Sequence, residues 1–518
     1  MFASATFSGP AMFGSATFKS AAHFRWATFE GPAWFGAATF KVAAHFEAAT
    51  FERDAGFQSA TFEHAASFRS ATFKGDARFQ AAFTGLAIFD SATFERDASY
   101  WSATFKDDAR FASAIFKGPA TFRSATFERD AWFESATIFK SDARFESATF
   151  KTTYKFGPLV CAGRTRLSGA LFGGPVTLSI ATRRLECRRT RWSSTAEVRL
   201  RYAAVDFSHA VFEYPLTIAA EPEPFVLDDA QLAEAPLAGA PDAAVRMASL
   251  CGVDAAHLVL ADVDLSGCLF NGTVHLDQVR LEGTCSFDSV PPGTHWRAGR
   301  PVRFTERCVL AEEHHWRARQ PGVVRGWNVA VCGAGQAGPA QLAPMYRALR
   351  KAFEDSKNEP GAADFYYGEM EMRRHDRTGT SRAERGLLYA YWMLSGYGLR
   401  ASRALGWLAA AMLVTIMLLM GFGLPKDDPK QEATGTVPPG GGRVTFEIGR
   451  EDPRNPSGNR FTGERFEKAL NVTLNSVVFR SADQDLTTAG TYIEMASRLA
   501  EPVLLGLAVL AVRNRVKR

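Results

Sequence analysis

The chain has 518 residues, which is more than a single typical domain requires. Its 60 basic and 55 acidic side chains leave a formal net charge of +5, so the overall charge does not indicate a nucleic-acid-binding protein. Seven cysteines, none of them in a C-x-x-C pair, argue against a disulfide framework or a zinc ribbon and favour reduced thiols in a cytoplasmic setting.

Residues 1–156 form a Phe-rich internal repeat. Successive Phe residues stand alternately six and five positions apart, as in ATFERDAGFQSATF, and an Ala precedes most of them by two residues. At the helical 100° per residue these side chains would scatter around a helix, whereas on an extended chain they share one face. The repeat therefore predicts short strands with Ala and Phe inside and Thr outside, separated by corners rich in turn residues.

Each of these strands is too short to form a sheet alone, so it has to pair with the strand one coil above. Four faces of five or six residues make a coil of 22 residues, and the segment then contains about seven coils. The pattern resembles the pentapeptide-repeat family, and the resemblance implies a mainly β fold, a right-handed quadrilateral β-helix. Irregular spacing at Phe83 and Phe139 predicts corner adjustments or bulges.

Residues 157–340 are interpreted as an irregular continuation of the repeat with inserted loops. Leu260, Leu265 and Phe270 keep the five-residue spacing, and Leu is now the main inward residue. The Pro/Ala-rich stretch 221–244 is predicted to be an inserted loop.

Residues 341–400 are predicted to form a helical neck. Two helices interrupted by Asn-Glu-Pro-Gly at 358–361 are followed by an interfacial helix, which carries Tyr389 and Trp392 between basic flanks. This helix is expected to lie on the surface of a bilayer.

Residues 401–518 are predicted to form a two-helix membrane domain. The 22 uncharged residues 404–425 would cross the hydrocarbon region as a helix, and a second span is predicted at about 493–512. The chain starts within the repeat and shows no signal peptide, so we expect a multi-pass protein of the cell membrane with the solenoid and the C-terminus in the cytoplasm.

The second span contains three charged residues, Glu494, Arg498 and Glu501. They are four and three positions apart, so their side chains share one face of a helix. Charges at that depth are expected to pair within a helix bundle or a water-lined cavity.

The elements before the second span are an amphipathic stretch and a Thr/Gly turn. Their order resembles the two-helix pore module of potassium-type channels, whose filter reads T-V-G-Y-G. Thr488, Ala489 and Gly490 match its first three positions in kind, whereas Thr491 and Tyr492 depart from it and argue against potassium selectivity. The resemblance implies a degenerate pore-like loop that contains Thr487, Thr488, Gly490, Thr491 and Tyr492.

Two further motifs are interpreted as having no catalytic or binding role. A G-x-G-x-x-G pattern at 333–338 lacks the βαβ context of a dinucleotide site and is interpreted as a linker. The segment AEEHHWRA at 311–318 lacks the i, i+4 spacing of a zinc-binding helix and is predicted to be a solvated polar segment. No Ser/His/Asp or Cys/His set stands out, so we predict no catalytic residue, cofactor or metal site.

The predicted function is that of a non-enzymatic integral membrane protein whose solenoid acts as a protein-binding scaffold or sensor. The alternative is an ion channel gated by the solenoid. The expected partners are the lipid bilayer, a protein of unspecified identity and further copies of the chain through the membrane helices. No nucleic-acid role is expected, because the 17 basic and 16 acidic side chains of residues 1–156 do not form the dense acidic surface of a DNA mimic.

Overall fold

The computed structural model divides the chain into two compact units, Met1–Glu369 and Met370–Arg518. The first unit contains a β-solenoid of about 12 turns over residues 6–282, followed by helices. The second unit is mainly helical. The structure describes residues 1–134, 137–227, 230–240, 242–297, 300–321, 323–327, 337–426, 431–435, 446–450, 458–478 and 485–516.

The regular part of the solenoid consists of short parallel strands in four columns. Thr6 pairs with Thr28, and Thr28 pairs with Thr50, so a coil of 22 residues is confirmed. The first column is Thr6–Phe7, Thr28–Phe29, Thr50–Phe51, Thr72–Phe73, Thr93–Phe94, Ile115–Phe116 and Thr137–Phe139. The second is Ala11–Met12, Ala33–Trp34, Ala55–Gly56, Ala77–Arg78, Ala98–Ser99, Ala120–Thr121 and Ala143–Arg144.

The third and fourth columns alternate with these two. The third is Thr17–Phe18, Thr39–Phe40, Thr61–Phe62, Ala82–Phe83, Thr104–Phe105, Thr126–Phe127, Thr149–Phe150, Leu171–Phe172, Arg191–Trp192 and Val211–Phe212. The fourth is Ala22–His23, Ala44–His45, Ala66–Ser67, Ala87–Ile88, Ala109–Arg110 and Ala131–Trp132.

The two irregular spacings are absorbed by coils of altered length. Phe62 pairs with Phe83, 21 residues further on, and Phe116 pairs with Phe139, 23 residues further on. A missing or an extra residue is therefore taken up between strands, and each Phe stays in its column.

The core of the solenoid is a set of stacked aromatic rings. Phe29 lies on Phe51 with ring centroids 4.7 Å apart and an angle of 2° between the ring planes. Rings of neighbouring columns meet edge to face, as Phe51 and Phe57 do at 6.3 Å and 80°. The Ala two residues before each ring is also buried, for example Ala49. The inward Ala and Phe predicted from the repeat are confirmed, and both ring geometries are favourable.

Longer strands replace several short ones in the second half of the solenoid. Lys155–Arg166 pairs both with Thr137–Phe139 and with Ala143–Arg144, so it covers two columns and the corner between them. The remaining strands of these coils are Val176–Glu186, Ala196–Arg201, Ala204–Asp206, Leu216–Ala220, Arg246–Ser249, Leu258–Ala261 and Arg280–Glu282.

The stretch 221–244 is an insertion between two coils, as predicted. It contains the antiparallel strands Val226–Leu227 and Ala230–Gln231 and the 3₁₀ turn Ala235–Leu237. A buried ion pair between Arg201 and Glu234, 2.6 Å long, holds it against the solenoid.

The coils end at residue 282, so the repeat stops before the predicted boundary at 340. Beyond the 3₁₀ turn Leu276–Gln278 and the last coil, the chain forms two antiparallel strand pairs, Asp288–Ser289 with Cys308–Val309 and Thr294–Arg297 with Arg300–Arg303. Helices α1 (Ala311–Ala318), α2 (Pro339–Asp355) and α3 (Glu359–His375) follow.

Within the first unit these elements cover the C-terminal end of the solenoid. Ala311 of α1 packs against Leu269. On α2, Lys351 forms a 2.7 Å ion pair with Asp277, and Phe353 contacts Phe287. The last coil therefore packs against helices.

The second unit contains α4 (Arg382–Ser395), α5 (Ala401–Leu418) with a π-helical extension (Leu419–Gly423), α6 (Gly463–Val477) and α7 (Thr488–Val516). The strands Gln431–Gly435 and Phe446–Arg450 form an antiparallel pair between α5 and α6. Two helical stretches, Ala401–Gly423 and Thr488–Arg513, are long and apolar enough to cross a membrane. They contain most of both predicted spans.

Candidate functional site

Thr487 joins the end of the first apolar helix to the start of the second. Its backbone N–H donates to the carbonyl oxygen of Gly423 at 3.0 Å. Its hydroxyl donates to the carbonyl oxygen of Phe422 at 2.7 Å and accepts the N–H of Gly490 at 3.1 Å. Thr487 thus caps the N-terminus of α7 and also binds two carbonyls of the π-helical turn.

Gly423 and Gly490 form a close contact between the two helices. A Cβ atom added at Gly490 would overlap the backbone of Gly423. Small residues of this kind let two helix backbones approach closely, which is a common way of packing helices in membranes.

Of the predicted pore-like loop, Thr488, Gly490, Thr491 and Tyr492 lie in the first turns of α7. The physical reason is the cap, because the N–H of Thr491 bonds to the carbonyl oxygen of Thr487 at 2.9 Å and continues the helical pattern. Carbonyl oxygens in such a turn point along the helix axis and do not converge as filter ligands do. The preceding residues 479–484 of the predicted turn lie outside the described residues.

The three predicted charged residues lie on one side of α7. Arg498 forms a 2.6 Å ion pair with Glu494. Glu501 is 1% exposed and accepts a hydrogen bond from the hydroxyl of Thr415 on α5 at 3.0 Å. Its Oε2 atom has no hydrogen-bond partner among the described residues. The helix pair therefore encloses the Glu501 carboxylate, beside the Glu494–Arg498 ion pair on the same side of α7.

Two residues of this unit were missed in the sequence. Thr415 lies in an apolar run, LVTIML, where a single Thr carries no signal. Arg465, in the first turn of α6, donates to the carbonyl oxygens of Met420, Leu424 and Pro425 at 2.8–3.0 Å. It thereby satisfies carbonyls at the end of the first apolar stretch, a role that sequence spacing does not reveal.

The segment AEEHHWRA is a second polar cluster, and the prediction that it is solvated is wrong. It forms α1, and Glu312, Glu313, His314 and His315 are all buried. The helix packs on the last coil, where the carboxylate of Glu312 accepts the backbone N–H of Phe270. That N–H lies beyond the last strand pairing of its column, so Glu312 replaces the partner that a further coil would supply.

The two carboxyl groups of α1 have opposite electrostatic environments. Burial raises the pKa of Glu312 to about 7. Burial also acts to raise the pKa of Glu313, but three donors oppose it. They are the guanidinium groups of Arg307 and Arg317 and the hydroxyl of Tyr346, which bond to the carboxylate at 2.5–2.6 Å. Their effect outweighs burial and holds the pKa of Glu313 at about 2. Within the described ranges, no three His, Cys, Asp or Glu side chains are grouped as ligands for a metal ion.

The fold and these clusters define a β-solenoid protein with a helical cap and a second unit that contains two helices apolar enough to cross a membrane. Residues 111–157 match the family described as pentapeptide repeats (9 copies). The β-solenoid of about 12 turns over residues 6–282 includes this matched stretch. No curated protein and no solved structure shows a significant match to this chain.

Proposed function

We propose that the protein is a non-enzymatic scaffold anchored in the cell membrane, with the solenoid and the C-terminus in the cytoplasm. The observation that carries this proposal is the outer surface of the two apolar helices. Leu413 and Val414 on α5 are 58% and 54% exposed, and Leu499 and Val503 on α7 are 74% and 60% exposed. Apolar side chains exposed over the length of a membrane span are suited to contact with lipid.

The solenoid supplies the binding surface of this scaffold. Its outward side chains are aligned from coil to coil, because pairing places equivalent positions above one another. Lys74 lies 2.8 Å from Glu52, and Lys117 lies 2.8 Å from Glu95, in the same arrangement two coils apart. A long, regular surface with both signs of charge is suited to an extended protein partner.

The scaffold proposal is tested by comparing the proteins recruited to membranes by three chains, using proximity labelling. The full chain is compared with one that lacks residues 1–156 and with one that lacks the single coil 50–71. The single-coil deletion joins Ala49 to Thr72, which preserves the column register. We expect partners to be lost with the large deletion and retained with the small one. An unchanged set of partners after the large deletion contradicts the proposal.

The membrane anchor is tested separately by alkaline extraction. We expect the full chain to stay in the membrane pellet and a chain that ends at residue 375 to be released. Release of the full chain by alkaline buffer would exclude the two helices as membrane spans.

A second candidate function is ion conduction, which the polar cluster around Glu501 favours. Conductance of the purified full chain in a planar bilayer is the direct measurement. We expect any unitary current to change in Glu501→Gln and to persist in Glu467→Gln, where the carboxylate is on the exposed polar side of α6. Silence of a folded wild-type sample excludes this candidate and leaves the scaffold.

A further inference from the structure

Residues 370–403, which lead into the first apolar helix, carry an excess of positive charge. They contain seven Arg and three acidic residues, a net charge of +4 by subtraction, compared with +5 for the whole chain. This concentration of charge next to a candidate span raises the question of what neutralises it.

The three acidic residues of this segment are already engaged. Glu371 pairs with Arg374 at 2.8 Å, and Glu384 pairs with Arg373. Asp376 is buried and accepts three hydrogen bonds from its own turn, from the N–H and hydroxyl of Thr378 and the N–H of Gly379, at 2.8–3.0 Å. Two of the three carboxyl groups are therefore paired with Arg, and the third is buried in its own turn.

Arg385 and Arg403 donate to backbone carbonyl oxygens and Arg400 is also engaged, which leaves Arg377 and Arg382. Both are exposed, and neither has a hydrogen-bond or ion-pair partner among the described residues. Both lie in a hydrogen-bonded turn. The carboxylate of Asp376 accepts the N–H of Thr378, and at the start of α4 the hydroxyl of Ser381 accepts the N–H of Glu384 at 3.2 Å. Their positions relative to α4 are therefore held by the fold.

Helix α4 also exposes an apolar face. Tyr389 and Met393, four residues apart on this face, are 54% and 38% exposed, whereas Leu388 and Ser395 on the other side are buried. Arg382 precedes Tyr389 by seven residues and Met393 by eleven, so the three side chains project from one stripe of the helix. The stripe thus combines apolar side chains with an unpaired cation at its N-terminal end.

Contacts with α5 hold this stripe beside the start of the first apolar helix. The indole N–H of Trp407 donates to the carbonyl oxygen of Met393 at 3.1 Å, and Arg403 donates to that of Trp392 at 2.8 Å. The ring of Trp392 lies 4.4 Å from the guanidinium of Arg374 and 5.2 Å from that of Arg403. Trp and Arg side chains in this arrangement are typical of the border between hydrocarbon and headgroups.

We propose that α4 and the turn before it form a docking surface for anionic phospholipid headgroups, with the apolar stripe in the bilayer surface and Arg377 and Arg382 on the lipid phosphates. The inference rests on the proposed membrane anchor. The occupant is a lipid surface because Met393, at the end of the stripe, bonds to Trp407, an exposed side chain of the apolar helix α5. The lipid is anionic because two unpaired guanidinium groups gain little from a headgroup without net charge.

The test is native mass spectrometry of the full chain, purified in mixed micelles with equal amounts of phosphatidylglycerol and phosphatidylcholine. We expect wild type to retain phosphatidylglycerol in excess. In Arg377→Gln/Arg382→Gln the ratio of the two retained lipids should fall roughly tenfold, since each cation near an anionic surface contributes a several-fold preference.

The matched control is Arg53→Gln/Arg123→Gln, which removes two exposed Arg side chains from the solenoid. We expect its lipid ratio to equal that of wild type, and we expect Arg377→Lys/Arg382→Lys to keep most of the preference because the charge is retained. A wild-type ratio in the double Gln variant, or an equal loss in the solenoid control, overturns the proposal. Failure of the anchor itself is distinguishable, because the wild-type chain would then leave the membrane on alkaline extraction.

Discussion

Tyr100 occupies a Phe position in the stacked core of the solenoid. Its ring lies between those of Phe79 and Phe122, at 5.0 and 4.7 Å, and is fully buried. The hydroxyl has no hydrogen-bond partner among the described residues, and burial raises the pKa of the phenol well above its usual value. The polar atom has therefore lost water without gaining a partner, which costs free energy of folding.

Replacing Tyr100 by Phe should stabilise the protein. Tyr100→Phe keeps the ring stack and removes the unpaired hydroxyl, so we expect the free energy of unfolding to rise by about 1–3 kcal/mol. Denaturant unfolding followed by the β-sheet circular dichroism signal is the measurement. The control is Tyr154→Phe, at a position that is 63% exposed, which should change the free energy of unfolding little. A decrease in stability for Tyr100→Phe would show that the hydroxyl has a partner in solution.

Glu312 makes the stability of the solenoid end depend on pH. Its folded pKa of about 7 is above the ordinary value of 4.5, so the folded state binds the proton more tightly than the unfolded state. This contribution to stability is fully present below pH 4.5, declines as the pH rises to 7, and is lost above that. The low pKa of Glu313 makes stability depend on pH only between pH 4.5 and 2, which is below the range in which Glu312 titrates.

Removing the titration of Glu312 should remove that decline. In Glu312→Gln, the free energy of the opening that exposes the N–H groups of α1 and Phe270 to hydrogen exchange should exceed that of wild type by up to about 3 kcal/mol at pH 8. Near pH 4.5 the two proteins should have equal values. Comparison at each pH isolates Glu312, because the other titratable groups are present in both proteins. Equal protection at pH 8 would contradict the assignment.

At the scale of elements, the contact between the π-helical turn and α7 decides the geometry of the second unit. The turn Leu419–Gly423 brings the carbonyls of Phe422 and Gly423 to Thr487, and the two glycines leave no room for a side chain between the backbones. A π-helical turn carries an extra residue relative to the α-helix and is often found at functional positions.

Two glycines of α7 provide a matched test of this contact. A Cβ atom at Gly490 meets the backbone of Gly423, whereas one at Gly506 meets nothing within 4 Å. We expect Gly490→Ala to lower the stability of the purified protein in detergent by about 1–3 kcal/mol, because backbone has to shift. Gly506→Ala should be neutral or stabilising by up to about 1 kcal/mol, because Ala favours helix. Equal effects on the thermal midpoint would show that the helices do not cross at Gly490.

At the scale of the whole molecule, the solenoid needs a covered end. A last coil leaves backbone N–H and C=O groups and apolar side chains without a neighbour, and such edges pair with other chains. Helices α1–α3 cover this end through Glu312, Leu269 and Phe287. The cap is built from residues that follow the repeat but do not share its pattern.

Two truncated chains should therefore differ in solution. A chain of residues 1–375, which retains the cap, should be a folded monomer by size-exclusion chromatography with light scattering. A chain of residues 1–282 should self-associate or aggregate, because its last strand edges and Leu269 become exposed. Monomeric behaviour of the shorter chain would show that the solenoid end needs no cap.

The sequence by itself determined the regular part of the solenoid, the neck helices α2–α4 and the two apolar helices. Its signals are periodic and local: the same Ala and Phe recur on one face of every short strand, and each coil meets only its neighbours. The pairing of Thr50 with Thr72 and the burial of Phe51 follow from that period. The break between α2 and α3 follows from the local Asn-Glu-Pro-Gly stretch in the same way.

The tertiary structure decided which polar residues are buried and what they contact. Glu312 bonds to Phe270, 42 residues earlier, and Thr415 bonds to Glu501, 86 residues later. The helical state of Thr488 depends on a cap whose other partners lie in the preceding helix. No period or local propensity relates these residues, because their contacts form only when separate elements pack together.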